Sequence, residues 1–216
     1  MLDTAVILAG GYGKRMSPIS DYIPKPLIQI GAKSLIDHNI DKLKLIGIKN
    51  IYVTYGHKSE LLVNHIEKNV SGLINTNGKD NCWFLFNSLI KHINNYILVL
   101  PCDIIYDLDF ESLKKELFEH KSYIVPVPFL AGLEADDISF SKDRHINKID
   151  RSGVGYSGFC ASGLQVCHPL YINDSFKPQN KWSDLWDEMI ASRNLFASKT
   201  CAQNWKTYNS LSDLPK

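Results

Sequence analysis

No stretch of the chain approaches the roughly 20 consecutive apolar residues that span a bilayer. The apolar start, Ala5 to Ala9, has no basic segment ahead of it and is too short for a secretory leader. Cysteine is sparse and odd in number: there are 5 (Cys82, Cys102, Cys160, Cys167, Cys201), with no C-x-x-C. That excludes a disulfide scaffold and points to a reduced, cytoplasmic protein. Neither sign of charge dominates. The chain carries 24 Lys+Arg against 23 Asp+Glu, a formal charge of +1, which argues against a nucleic-acid binder driven by bulk charge. The 7 histidines show no zinc-ligand spacing. Internal repeats and low-complexity linkers are absent. Nucleic acid and membrane are therefore not expected as partners.

What is present is an ordinary globular composition. The chain has 216 residues, 44% hydrophobic and 11% aromatic, enough to bury a core without metal or disulfide staples. One domain over 1–216 is expected. Ala5–Leu8 is a short apolar run that reads as a buried strand. Ser34 is placed to cap a helix from Leu35 to about Ile46, with Gly47 as its stop. Asn50–Thr54 is the next strand, and Lys58–Lys68 a helix. Cys82–Ile93 reads as helical. Tyr96–Leu100 is a strong buried-strand signal. Phe110–His120 is an amphipathic helix, followed by a strand over Tyr123–Val127. Strand, loop and helix alternate at least three times, which predicts a mostly parallel central sheet flanked by helices on both faces. The last third predicts short, partly antiparallel strands (Asp137–Ser141, Ile146–Asp150, Tyr156–Cys160, Gly163–Val166), a helix over Ser183–Ser192 and a final segment around Trp205.

Three places carry chemistry. The first is the loop after the opening strand, Leu8-Ala9-Gly10-Gly11-Tyr12-Gly13-Lys14-Arg15-Met16. Glycines at 10, 11 and 13 let backbone N–H groups turn toward one point and bind an anion. Arg15 can grip phosphate bidentately, and Lys14 adds a point charge. The spacing is neither a Walker P-loop nor a full G-x-G-x-x-G. The plain alternative is a tight turn that needs glycine. The second is Ile23-Pro24-Lys25-Pro26-Leu27. Its prolines predict an extended, pre-set Lys25, suited to a group that develops negative charge; the plain alternative, which this motif alone favours, is a stiff loop with a solvated lysine. The third is Asp103, at the carboxyl end of the most hydrophobic strand. Parallel sheets bind ligands there, and a carboxylate is a hard oxygen ligand for Mg²⁺; the plain alternative is an N-cap or turn aspartate. Asp107 and Asp109 lie near and compete for that role. Cys102 reads as a buried thiol, and Trp182 and Trp186 as core.

The run Leu8–Met16 with Ile23–Leu27, and the segment Leu100-Pro101-Cys102-Asp103, resemble the signatures of sugar-1-phosphate nucleotidylyltransferases. The short members that make GDP-mannose, GDP-heptose or UDP-muramate-type products are the most similar. The resemblance implies an α/β, glycosyltransferase-A-like nucleotide-binding fold, with a nucleotide-binding half over 1–128 and a sugar-binding half over 129–216. It implies transfer of a nucleoside monophosphate from an NTP to a sugar 1-phosphate, with pyrophosphate leaving and an NDP-sugar forming for surface polysaccharide. By resemblance, Leu8, Ala9, Gly10, Gly11, Gly13 and Lys14 cradle the nucleotide. Arg15 binds the departing β/γ-phosphates. Lys25 bridges the α-phosphate and the incoming sugar phosphate. Asp103 holds Mg²⁺, the one cofactor implied. NTP and sugar 1-phosphate are the partners, and a homodimer is compatible. Longer relatives append a hexapeptide-repeat β-helix, so acyltransferase activity is not expected here.

The chain also departs from the pattern. Where relatives carry a P-L-G-T-A-G-type loop it reads Asn77-Gly78-Lys79-Asp80-Asn81. Asn77 and Gly78 are the nucleotide-binding candidates there; Asn75, Asn77 and Asn81 offer amides to read a base or hydroxyls, with a polar turn as the alternative. A late W-x-D-V-G, whose aspartate is a second metal ligand, appears as Trp205-Lys206-Thr207-Tyr208-Asn209. Asn209 through its amide oxygen, or a carboxylate elsewhere (Asp136, Asp137), is then needed, or Asp103 acts alone. Ser162 and Gly163, in the strand resembling the sugar-binding one, are small enough to let a hexose near the backbone, with a glycine-eased core strand as the alternative. Other functions remain open. One is a cytidylyltransferase acting on a non-sugar phosphate such as phosphocholine. Another is a non-catalytic nucleotide-sugar-binding protein. A third is a glycosyltransferase using Asp107-Leu108-Asp109 as a D-x-D motif.

Overall fold

A computed structural model describes residues 2–117, 121–128, 135–152 and 158–215. Its strands are β1 (Thr4–Leu8), β2 (Gln29–Ile30), β3 (Lys33–Ser34), β4 (Asn50–Tyr55), β5 (Gly72–Asn75), β6 (Ile97–Pro101), β7 (Ile104–Asp107), β8 (Ser122–Pro128), β9 (Asp137–Phe140), β10 (Ile146–Asp150), β11 (Phe159–Cys167), β12 (Phe196–Ala197) and β13 (Gln203–Thr207). Its α-helices are α1 (Leu35–Leu45), α2 (Ser59–Ile66), α3 (Trp83–Asn87), α4 (Phe110–Glu116), α5 (Pro169–Ser175) and α6 (Trp182–Ala191).

The central sheet runs β10-β9-β11-β6-β1-β4-β5, with β8 and β12 attached through β11. β6, β1, β4 and β5 are parallel neighbours. β11 runs against β6, β8 and β9. The parallel core is where near-continuous apolar runs belong, because both faces are covered. Ala5, Ile7, Leu98 and Leu100 pack with Ile36, Ile40 and Leu43 of α1, Leu62 of α2 and Leu113 of α4. Val6, Ile97 and Val99, on the opposite face, pack with Phe84 of α3, Ile172 of α5 and Leu185 and Met189 of α6. Alternate residues of one strand thus serve two helical layers.

Local chemistry sets several boundaries. Ser34 caps α1 by accepting from the Asp37 N–H at 3.3 Å, and Gly47 at φ +85° ends it. The segment Cys82–Ile93, expected as one helix, breaks at Ser88 into α3 and a 3₁₀ turn over Leu89–His92. The Ser88 hydroxyl donates back to Phe84 O at 2.7 Å and accepts from Ile90 N at 3.2 Å. A side chain that competes for backbone groups in this way caps one turn and opens the next. The two strands expected over Tyr156–Cys160 and Gly163–Val166 are one strand, β11, with a register shift between Ala161 and Gln165; Tyr156 lies outside the described residues. Strands β5 and β7 and the hairpin of β2 and β3 were not expected. No described helix is long and apolar enough to cross a membrane.

Candidate active site

β1 and β6 are parallel neighbours, and Leu8 is in register with Pro101. Their carboxyl ends open onto a cleft of about 260 Å³. Leu8, Ala9, Gly11, Gly13, Lys14 and Arg15 form one wall, Lys25 and Pro26 a second, and Pro101, Cys102 and Asp103 a third. Two segments near the N-terminus thus meet a third from residues 101–103 at the end of the sheet where ligands bind in such folds.

The glycine loop is shaped by contacts on both sides. Ala9 N donates to Thr54 Oγ1 at 3.0 Å. Gly13 is left-handed, φ +63°, and caps a 3₁₀ turn over Lys14–Met16. A Cβ on Gly13 would stand 3.0 Å from Lys25 Cβ, so its bare backbone lets the Lys25 segment dock. Gly10 lies behind the cleft wall: a Cβ there would meet Thr76 Oγ1 at 2.4 Å. Pro24 is extended, as expected, but Lys25 opens a 3₁₀ turn over Lys25–Leu27 instead of continuing the extended run. Leu27 N closes that turn onto Pro24 O at 2.9 Å. The outcome keeps the sense of the expectation, a lysine on a stiff support.

The Lys25 ammonium pairs with the Asp103 carboxylate across 78 residues of sequence. Both are mostly shielded, with side chains 12% and 18% exposed. Pairing keeps two charges satisfied in a partly dry cleft. Arg15 is exposed and donates from Nη2 to Asn209 Oδ1 at 3.2 Å. Asn209 lines the cleft, because β13 pairs antiparallel with β7 and Tyr208 N then donates to Asp103 O at 2.8 Å. Thr207 is in register with Ile104.

The remaining expectations divide. Asn77 and Gly78 sit on an exposed turn past β5, beside the glycine loop and off the cleft wall. Asn77 N donates to Asn75 Oδ1 at 2.9 Å, and Asn77 Cα would lie 3.4 Å from a Cβ on Gly56, a residue packed on Gly10 O. Ser162 needs correction as a sugar contact. It is 1% exposed, and its hydroxyl donates to Val125 O at 2.6 Å and accepts from Leu164 N at 3.1 Å. The backbone bend at Gly163 takes that hydroxyl into the sheet. Gly163 itself, φ +83°, stands against the Pro101 ring that lines the cleft. Trp182 is buried, as read from the sequence. Trp186 is half-buried, and its indole donates to Gln165 Oε1 at 3.0 Å.

Among the other carboxylates, Asp107 is exposed and held by Lys42 and by Asn204 at 2.8 Å. Asp109 caps α4 through Ser112 N at 3.0 Å. Neither lines the cleft, which disfavours a D-x-D metal site. Burial raises the Asp136 carboxyl above its ordinary range, and it too lies off the wall. Burial, with the adjacent Asp103 charge, pushes the Cys102 thiol up, so it is no nucleophile. Among the described residues no group of three His, Cys, Asp or Glu is placed to hold a metal. The cleft offers one carboxylate (Asp103) and one amide oxygen (Asn209). That donor set suits Mg²⁺, which typically takes one or two protein oxygens and completes its shell from substrate phosphates and water. Asn39 was missed: a polar residue inside an apolar helical stripe was the available signal.

Residues 4–132 match the family model described as nucleotidyl transferase. The chain belongs to the nucleotidyl transferase family. A mannose-1-phosphate guanyltransferase from Kluyveromyces lactis is 30% identical over 211 residues, covering 89% of this chain and 57% of the relative. A GlmU protein of Methanococcus aeolicus is 30% identical over 110 residues, covering 50% of this chain and 26% of its own length. The chain thus spans about half or less of the length of these relatives. HddC from Yersinia pseudotuberculosis shares the fold with a TM-score of 0.78 at 22% identity, covering 98% of this chain and 96% of that one. The inositol-1-phosphate CTP transferase of T. maritima does so at 0.77 and 16%, covering 100% and 92%.

Proposed function

We propose that this nucleotidyl transferase moves a nucleoside monophosphate from an NTP to a sugar 1-phosphate, releasing pyrophosphate and forming an NDP-sugar. The observation that carries the reading is the meeting of Arg15, Lys25 and Asp103 around one glycine loop. These are the charges that phosphoryl transfer requires and little else, since the reaction is positioning plus electrostatic stabilisation. The sugar phosphate oxygen attacks the α-phosphorus in line, the bond to the β-phosphate oxygen breaks, and pyrophosphate departs. No protein nucleophile is needed. The loop over Leu8–Gly13 holds the nucleotide, with Lys14 beside its phosphates. Lys25 stabilises charge on the α-phosphate and positions the incoming phosphate. Arg15 holds the departing β- and γ-phosphates. Asp103, with Asn209 beside it, would hold Mg²⁺, which supplies neutralisation of phosphate charge when bound. Gly163, against Pro101, marks the acceptor side, and Asn77 and Gly78 the base side.

Sugar acceptors are favoured because the yeast relative that matches across 89% of this chain is a mannose-1-phosphate guanyltransferase. A polyol phosphate is the second reading, favoured by likeness to an inositol-1-phosphate CTP transferase. The five thiols, all unpaired, support a reducing cytoplasm, and supply of surface polysaccharide is the role we assign. Pyrophosphate release with Mg²⁺, crossing four NTPs against sugar and polyol 1-phosphates, tests the function. One NTP with one sugar 1-phosphate is the expected productive pair. Silence across the panel while NTP still binds would overturn catalysis and leave a nucleotide-sugar-binding protein.

A further inference from the structure

Asn39 stands in the apolar stripe of α1 between Ile36 and Ile40 and is 2% exposed. A carboxamide there is costly unless its hydrogens are used. They are used on carbonyl oxygens: Leu35 O at 3.0 Å, Cys102 O at 3.1 Å and Ile104 O at 3.0 Å. The first belongs to its own helix. The other two flank Asp103. Two N–H bonds serve three acceptors, so one is shared. The carbonyl between them, Asp103 O, accepts from Tyr208 N at 2.8 Å, and Cys102 N donates to Leu8 O at 3.1 Å. The turn that carries Asp103 is therefore gripped from α1, β1 and the segment after β13.

We propose that Asn39 is a positioning residue, which acts through the backbone on both sides of Asp103 to aim that carboxylate into the cleft. The inference rests on the proposed function for the use to which Asp103 is put, not for the clamp itself. Hydrogen-bonded partners behind a ligating carboxylate commonly matter to metal affinity by about 10–100-fold. A single amide that holds the peptide planes of Cys102 and Ile104, one on each side of the Asp103 carbonyl, is placed to do the same here.

The test uses Asn39→Leu, which keeps the volume and removes the donor, with Asn39→Ser as a second variant that leaves room for water should the first fail to fold. Each is compared alone and on Asp103→Asn. The Mg²⁺ concentration that half-saturates nucleotide binding, read by calorimetry, should rise roughly tenfold in the Asn39 variants. Nucleotide affinity without metal should not move. On Asp103→Asn, adding the Asn39 change should leave the Mg²⁺ response where Asp103→Asn alone puts it. Amide hydrogen exchange at Cys102 and Tyr208 should speed up on the order of tenfold as the turn loosens. Unchanged exchange at both amides, or an equal loss of binding in both backgrounds, would overturn the proposal. A wild-type protein whose nucleotide binding ignores Mg²⁺ would sink the functional reading, and the exchange result would still decide the role of Asn39.

Discussion

Gly163 and Gly11 offer opposite outcomes for the same substitution. Gly163 has φ +83°, and an added Cβ would stand 2.9 Å from Pro101 Cγ and 3.1 Å from Pro101 Cδ. The left-handed conformation alone costs an L-residue about 1–2 kcal/mol. The contact adds about 1–3 kcal/mol as overpacking, because a proline ring cannot swing aside and Pro101 is held in register with Leu8. Gly163→Ala should therefore lose about 2–5 kcal/mol, a fall in Tm of roughly 4–20 °C for a chain of this size. Gly11 has nothing within 4 Å of an added Cβ and lines the cleft. Gly11→Ala should stay within about 0.5 kcal/mol of the parent, while its methyl takes space meant for nucleotide and weakens NTP binding by on the order of tenfold, about 1.4 kcal/mol. Urea unfolding and nucleotide titration of both variants read the two effects separately. A Gly163→Ala variant that melts like wild type, or a Gly11→Ala variant as destabilised as Gly163→Ala, would refute this.

Lys25→Ala should lower kcat about 10²–10³-fold, the range for removing one preorganised donor to developing charge; steady-state kinetics showing a loss under threefold would remove Lys25 from the chemistry. The Asp213 carboxyl lies below its ordinary 3.8. Burial pushes it up, but hydrogen bonds from Ser210 and the Asn209 N–H outweigh that. A lowered folded pKa gives stability that is present above the unfolded value and lost as pH falls through the folded one. Wild type should therefore lose more stability than Asp213→Asn as pH drops below about 4, and parallel acid denaturation curves for the two would contradict this. Cys102 is buried beside Asp103 with its thiol raised, so N-ethylmaleimide at neutral pH should leave it unmodified by peptide mass mapping.

The legible parts of this molecule are those decided locally. β1 and β6 show in the sequence because both faces are buried and the runs are continuously apolar. α1 shows because Ser34 and Gly47 bracket an apolar stripe. Lys25 and Asp103 stood out because proline and strand-end position mark them without knowledge of a partner. What was not legible depends on distant pairing. β7 and β13 are short and mixed in polarity, and they form by joining residues about 100 positions apart. That pairing delivers Asn209 to the cleft and Tyr208 to Asp103. At Ser162 the core-strand alternative holds, for a related reason: the hydroxyl donates to Val125 O beside the shift in β11 between Ala161 and Gln165, and strand alternation does not foresee a bend. Asn39 shows what polarity inside an apolar stripe can signal.

Nucleotide and acceptor, on the function proposed above, meet in one cleft and react directly. The most direct measurement follows labelled pyrophosphate and α-labelled NTP on the wild-type protein, with and without the acceptor. Pyrophosphate and NDP-sugar should form in a one-to-one ratio only when both substrates are present, with no label on the protein and no exchange of pyrophosphate into NTP without acceptor. Exchange without acceptor, or nucleotide covalently held on the protein, would contradict it.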